Sequence, residues 1–145
     1  MATSYETDFA KWAVEQANLL RAGVLDKIDL SNLAEEIESM GKSEHRELKS
    51  RMMVLVQHLL KWKFQPAYRG ISWRRTIAEQ RVQIALVLQD SPSLSNDMAN
   101  LEWITAVWDK AVKLAAGETG ISKKVFPAEP VWTTDEILND DFLPE

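Results

Sequence analysis

Apolar positions along this chain recur three and four residues apart nearly from end to end, and strict apolar–polar alternation is absent. That period belongs to helices that each bury one face. The spacing predicts a first helix from about Tyr5 to Ala22, with Phe9, Trp12, Ala13, Gln16 and Leu20 on one face and Gly23 as its stop. A second, shorter helix starts after Asp29 as N-cap and runs to about Met40, ending at Gly41. Leu30, Leu33, Ile37 and Met40 define its buried side. Ser43 caps a long third helix to about Gln65, stopped by Pro66. The fourth runs from near Ser72 to about Gln89, with Trp73, Ile77, Ile84 and Leu88 in register. Ser91-Pro92 opens a fifth, which carries Leu94, Met98, Leu101, Trp108, Val112 and Ala115 down to Gly117. A loop, a helical turn around Thr134 to Leu138 and an acidic tail follow.

The third helix is the spine. At about 100° per residue, Leu48, Met52, Leu55, Leu59 and Trp62 fall within roughly 40° of one direction. Met53, Leu60 and Phe64 form a second strip roughly 120–160° away. A helix apolar on two sides is sandwiched between neighbours. The expected fold is therefore all-α, a bundle of five main helices around the central third helix. One domain spans 1–145, with the bundle at about 5–117 and an irregular arm at about 118–145 wrapping the outside.

Composition narrows the function classes. The chain has 145 residues and no cysteine, which removes disulfides, thiolate metal sites and cysteine nucleophiles. The longest apolar run, Met52 to Leu60, is interrupted by Gln57 and His58 and is far too short to span a membrane. Glu6, Asp8 and Glu15 near the start are foreign to a secretory signal, so a bacterial cytoplasmic protein is expected. The net charge of −5 is unevenly spread. Residues 1–43 hold 4 basic and 8 acidic side chains, residues 44–81 hold 9 and 3, and residues 82–145 hold 4 and 11. A cationic middle thus lies between anionic arms, most simply neutralised between neighbouring helices.

Some polar residues sit where apolar ones belong. Gln16 and Gln80 fall on core stripes, Glu36 borders one, and Arg51, His58 and Arg81 lie at stripe edges. Buried polar groups are costly unless mutually satisfied, so these six residues are expected to meet as one cluster. A charge-balanced network fixing helix register is the preferred account, and a pocket that binds an anion and moves a proton is the sharper one. The Glu-x-x-His pair of di-iron bundles is missing, with only His45 and His58 in the chain, so no metal and no cofactor are expected.

The segment Lys61 to Arg75 packs five basic residues and four aromatics around a Pro-Ala-Tyr-Arg-Gly corner. Lys61, Lys63, Arg69, Arg74 and Arg75, with Phe64, Tyr68 and Trp73, are candidate contacts for an anion or a single-stranded nucleic acid. Against that, Trp62 and Trp73 sit at core positions and the acidic arms repel nucleic acid.

Several motifs occur in a characteristic order: Asn32-Leu33-Ala34-Glu35-Glu36-Ile37-Glu38-Ser39-Met40-Gly41, His58-Leu59-Leu60-Lys61-Trp62, Gln65-Pro66, Ser72-Trp73-Arg74, Ser91-Pro92-Ser93-Leu94, Glu118-Thr119-Gly120 and Phe126-Pro127. Together the chain resembles the bacterial domain-of-unknown-function family twenty-nine over nearly its whole length. The resemblance implies a compact helical protein and carries no established activity. Two departures stand out: Met40 replaces the usual Leu, and Glu129-Pro130 stands where Cys-Pro is usual.

Three function classes follow. The favoured one is a binding or protein-interaction module, partnered by another protein or by itself, with Trp103 and Trp132 projecting from their stripes as a partner surface. The second is a ligand-binding protein or enzyme using Glu36, His58, Arg51 and Arg81. The third is nucleic-acid binding at the basic corner. No catalytic motif is present, so the expectation leans away from an enzyme.

Overall fold

A computed structural model describes residues 3–145 as an all-α chain, with no strand among the described residues. The helices are α1 (Phe9–Ala22), α2 (Leu30–Phe64), α3 (Ile71–Asp90), α4 (Ser95–Met98), α5 (Leu101–Thr119) and α6 (Thr134–Leu138). Several boundaries differ from the sequence expectation, beginning with α1, which starts at Phe9 and not at Tyr5. The expected second and third helices are one, because α2 runs 35 residues straight through Gly41 and Ser43. A glycine inside a helix costs about 1 kcal/mol against alanine, which weakens a helix without ending it. The residues expected to form the fifth helix are broken instead. Asn100 accepts from the N–H groups of Glu102 and Trp103 at 2.8 and 3.4 Å, and so starts α5 afresh. α5 passes Gly117 and stops where Gly120 takes a left-handed φ of 73°. One join and one break leave five helices ahead of the C-terminal arm, which holds α6 where a turn was expected.

The chain divides into two compact units, one up to Ser43 and one from Glu44. In the first, α1 and the start of α2 form an antiparallel hairpin. Gln16 pairs with Asp29 and Tyr5 with Glu36, so positions on α1 fall as those on α2 rise. Asp8 caps α1 by accepting from the Lys11 N–H at 3.1 Å. At the other end Gly23 adopts φ 73°, and the N–H groups of Gly23 and Val24 close onto the carbonyls of Leu20 and Leu19. Trp12 and Gln16 are the buried residues of α1. Within this unit each helix has a single neighbour, so only the strip toward that neighbour is covered. That corrects the expected stripes: Phe9, Leu20, Leu30, Ile37 and Met40 belong to faces expected to be buried, yet all are between 50% and 74% exposed.

In the second unit the expected spine is present. Leu48, Met52, Leu55, Val56, Leu59 and Leu60 of α2 are fully buried, and Trp62 nearly so. They pack in one core with Ile77, Ile84 and Val87 of α3 and with Ile104, Val107, Trp108, Ala111, Val112 and Ala115 of α5. The arm closes this core and does not lie on its outside. Phe126, Trp132 and Ile137 are buried members of it. The Trp108 indole N–H donates to the Pro127 carbonyl at 2.8 Å, and its ring meets that of Trp132 edge-on with centroids 5.2 Å apart. Trp132 is only 9% exposed, and Trp103 is half-buried against the core, so neither offers the partner surface expected of it. Their position in sequence points away from the local stripe, yet the core of this unit takes both in.

Candidate functional site

The six polar residues expected to form one cluster do not converge, and only Arg51 and Gln80 meet each other. In the hairpin, the Gln16 side-chain carbonyl accepts from the Asp29 N–H at 2.8 Å. The Asp29 carboxylate takes hydrogen bonds from the Asn32 side chain at 2.9 Å and the Trp12 indole at 3.0 Å. These hold it below the ordinary carboxylate range, the Asn32 bond most, with burial opposing. Glu36 accepts from the Tyr5 hydroxyl, and this bond is the main reason the phenol is pushed up to about 12.

In the second unit, Arg51 and Gln80 do meet, at 3.3 Å, while Arg51 also pairs with Glu47 at 3.0 Å one turn back. They line a shallow depression of about 260 Å3 with Ser50 and Val54. Arg81 is elsewhere. Its buried guanidinium donates to the carbonyls of Ile137, Asp140 and Phe142 at 2.9, 3.3 and 2.7 Å, tying the arm down where α6 ends. A cation there complements the negative end of that short helix. His58 is turned onto its own helix, Nδ1 facing the Val54 carbonyl at 2.8 Å. A carbonyl only accepts, so Nδ1 carries the proton. Burial, first of all, lowers the His58 pKa and keeps the ring neutral. No buried side-chain polar atom among the described residues lacks a partner.

The basic corner folds in upon itself. Arg69 and Arg74 each stand 5.2 Å from the Trp62 ring centroid, and Arg69 also donates to the Trp62 carbonyl at 2.7 Å. Lys63 is exposed and lies 5.9 Å from the Phe64 ring, whose edge-on neighbour is Phe126. Arg75 is exposed near the start of α3. Lys61 is buried, with Nζ 2.9 Å from Glu118 and 4.9 Å from the centre of the Trp73 ring. Gln57 donates to the same Glu118 oxygen at 2.6 Å. The Lys61 hydrogen bond is the largest influence holding the Glu118 carboxyl below its usual range.

Lys61, Gln65, Tyr68, Trp73, Glu118 and Thr119 line a cleft of about 350 Å3. It gathers four of the motifs that are separate in sequence. Glu118 is the residue that sequence reasoning missed: it lies 57 positions from Lys61 at the end of α5, and helical periodicity carries no signal over that distance. Chemically the cleft offers a neutralised ammonium–carboxylate pair and aromatic walls, with no activated nucleophile.

The model for the family described as "Domain of unknown function DUF29" matches residues 4–143 of this chain. The chain belongs to that family. No curated protein and no solved structure matches it. The DUF29 match covers both units, the hairpin and the core-bearing one, so the exposed hairpin face lies inside the family's own extent. Among the described residues no three His, Asp or Glu side chains converge on a metal-sized site, and no helix is long and apolar enough to cross a membrane.

The hairpin face is the other candidate surface. At about 100° per residue, Phe9 and Leu20 lie roughly 50° around α1 from Trp12 and Gln16, which face α2. On α2, Leu30 and Ile37 lie roughly 100–120° and Met40 roughly 40° in the same rotational sense from Glu36, which meets Tyr5 just ahead of α1. In antiparallel helices the same rotation from the shared seam leads to the same side. The five side chains therefore lie on one side of the hairpin, with Leu20 beyond the start of α2.

Proposed function

We propose that this chain is a binding module that docks another helical protein surface on the apolar face of its N-terminal hairpin. The observation that carries this reading is the exposure of Phe9, Leu20, Leu30, Ile37 and Met40, half to three-quarters open on one side of two helices. Single exposed apolar residues are ordinary, but five on one side of two paired helices favour an interaction surface. The polar side chains with the chemistry for catalysis support the reading from the other direction, since each already has a structural partner.

The test uses the absence of cysteine from the chain. In an Ile37→Cys variant the new thiol is the only one. At low protein concentration it should react with a thiol reagent almost as fast as in the urea-unfolded chain. A thiol protected at every concentration would mean that the face is closed, and the reading would fall.

A further inference from the structure

We infer that the occupant of this face is a second copy of the chain, two hairpins closing on each other into a four-helix arrangement. The inference rests on the docking reading above and names its partner. Its first support is what the hairpin lacks. Two helices within 43 residues bury one large apolar side chain, Trp12, and hold their seam otherwise through Asp29, Gln16, Glu36 and Tyr5. Two helices that cover only one strip of each other leave apolar surface in water, and association is one of the usual ways to cover it. Four antiparallel helices are the smallest common arrangement that gives every helix two neighbours.

Area is the second support. At roughly 100 Å2 of exposed surface each, the five side chains supply about 500 Å2 of apolar area, within the range of the largest patches on monomers, which are often functional. At the ~65% apolar share of homodimer interfaces, that is the centre of a footprint of about 800 Å2 per partner, the standard size for a specific interface. An isologous pairing uses the same patch on both copies, so it needs no complementary surface elsewhere.

Charge gives the pairing a signature. The first 43 residues carry 4 basic and 8 acidic side chains, so two hairpins brought together repel. Salt screens that repulsion and leaves the apolar contact intact. Association should therefore tighten as salt rises, whereas binding of a nucleic acid to the cationic corner would weaken.

Sedimentation equilibrium of the full chain tests this, with Ile37→Glu, Leu30→Glu and the conservative Ile37→Leu. The expected result is a dimer for the wild type and for Ile37→Leu, with either glutamate variant weakening the dimer at least about thirty-fold. Thiol labelling of Ile37→Cys should slow as protein concentration rises through the dimer constant. A chain that stays monomeric with fast, concentration-independent labelling overturns the second copy but leaves an open docking face. A monomer whose introduced thiol is always protected overturns both readings. Dimers that persist undiminished in both glutamate variants place the interface elsewhere and also overturn the inference.

Discussion

The hairpin before Ser43 and the unit after Glu44 share α2 yet treat their side chains in opposite ways. After Glu44, four helices and an arm enclose a large apolar core, although Tyr68, Ile71, Val82, Leu86 and Leu101 stay exposed, and the polar misfits are pushed to edges or into clips such as Arg81. Before it, two helices half-bury a polar seam around Asp29 and leave an apolar strip in the open. The same 3.6-residue pattern underlies both. An apolar stripe therefore says which side of a helix wants cover, and only the number of neighbours decides whether cover is there.

The largest expected effects test that contrast directly. Trp108 is fully buried, and replacing it with Ala removes a large side chain and a hydrogen bond to the arm. Trp108→Ala should cost about 3–5 kcal/mol in urea unfolding. Ile37→Ala, at the exposed hairpin face, should stay within about 0.5 kcal/mol when measured at concentrations that keep the chain monomeric. Comparable losses at the two positions would erase the distinction between the units.

Arg81 comes next. Hydrogen bonds from a charged donor contribute about 1.5–3 kcal/mol each at most, and Arg81 makes three to the arm's carbonyls. Arg81→Met keeps the buried stem but strands those carbonyls, with an expected loss of about 2–4 kcal/mol. Limited proteolysis should then cut between Asn139 and Leu143, where the wild type resists. A fully stable, resistant variant would show that the arm is held by Phe126, Trp132 and Ile137 alone.

Mild acid should also separate the units. Burial holds the folded-state pKa of His58 below the 6.5 of a free imidazole. In the unfolded chain the ring takes up its proton near that value. Below it the unfolded state binds more protons, so stability is fully present above about pH 6.5 and declines as pH falls toward the folded pKa. Glu118, lowered from 4.5, adds a loss of the same sign further into acid. In the hairpin, Asp29 and Glu15 are shifted on the acid side and Tyr5 up to about 12, all away from neutrality. The urea midpoint should thus fall between about pH 7 and about 5.5 in the wild type, and His58→Gln should flatten that fall. An unchanged slope in the variant would place the titrating group elsewhere.

Much of the fold was legible because its signals are local. Gly23 stops α1 through a left-handed turn that only glycine takes easily, and the strip from Leu48 to Trp62 names the central helix. The site was less legible, for a physical reason. Gln16, Glu36, Arg51, His58, Gln80 and Arg81 each lie on or beside the apolar stripe of their own helix, which says that each is near an interface but not which interface. Their partners are Asp29, Tyr5, Glu47, the Val54 carbonyl and the arm, and only Arg51 with Gln80 joins two of the set. Glu118 beside Lys61 depended on how α5 returns to the end of α2. No periodicity within either helix encodes that.

A last, small effect is expected at Gly41, two residues before the first unit ends at Ser43. Gly41 is exposed, its φ is not in the left-handed region, and a Cβ added there would meet nothing within 4 Å. Alanine restricts the unfolded chain and fits a helix without strain, so Gly41→Ala should stabilise by about 0.5–1 kcal/mol and raise the circular-dichroism signal slightly. That outcome follows only if α2 is helical without interruption at this position. If the glycine instead takes a non-helical conformation in solution, alanine would be neutral or destabilising. The helix would then end at Gly41 and restart at the Ser43 cap, as the punctuation of the sequence alone suggests. The hairpin and the core-bearing unit would no longer share an element, and the contrast between them would need no common helix to explain. The sign of this small effect therefore decides whether one continuous helix carries both an open apolar strip and a closed one.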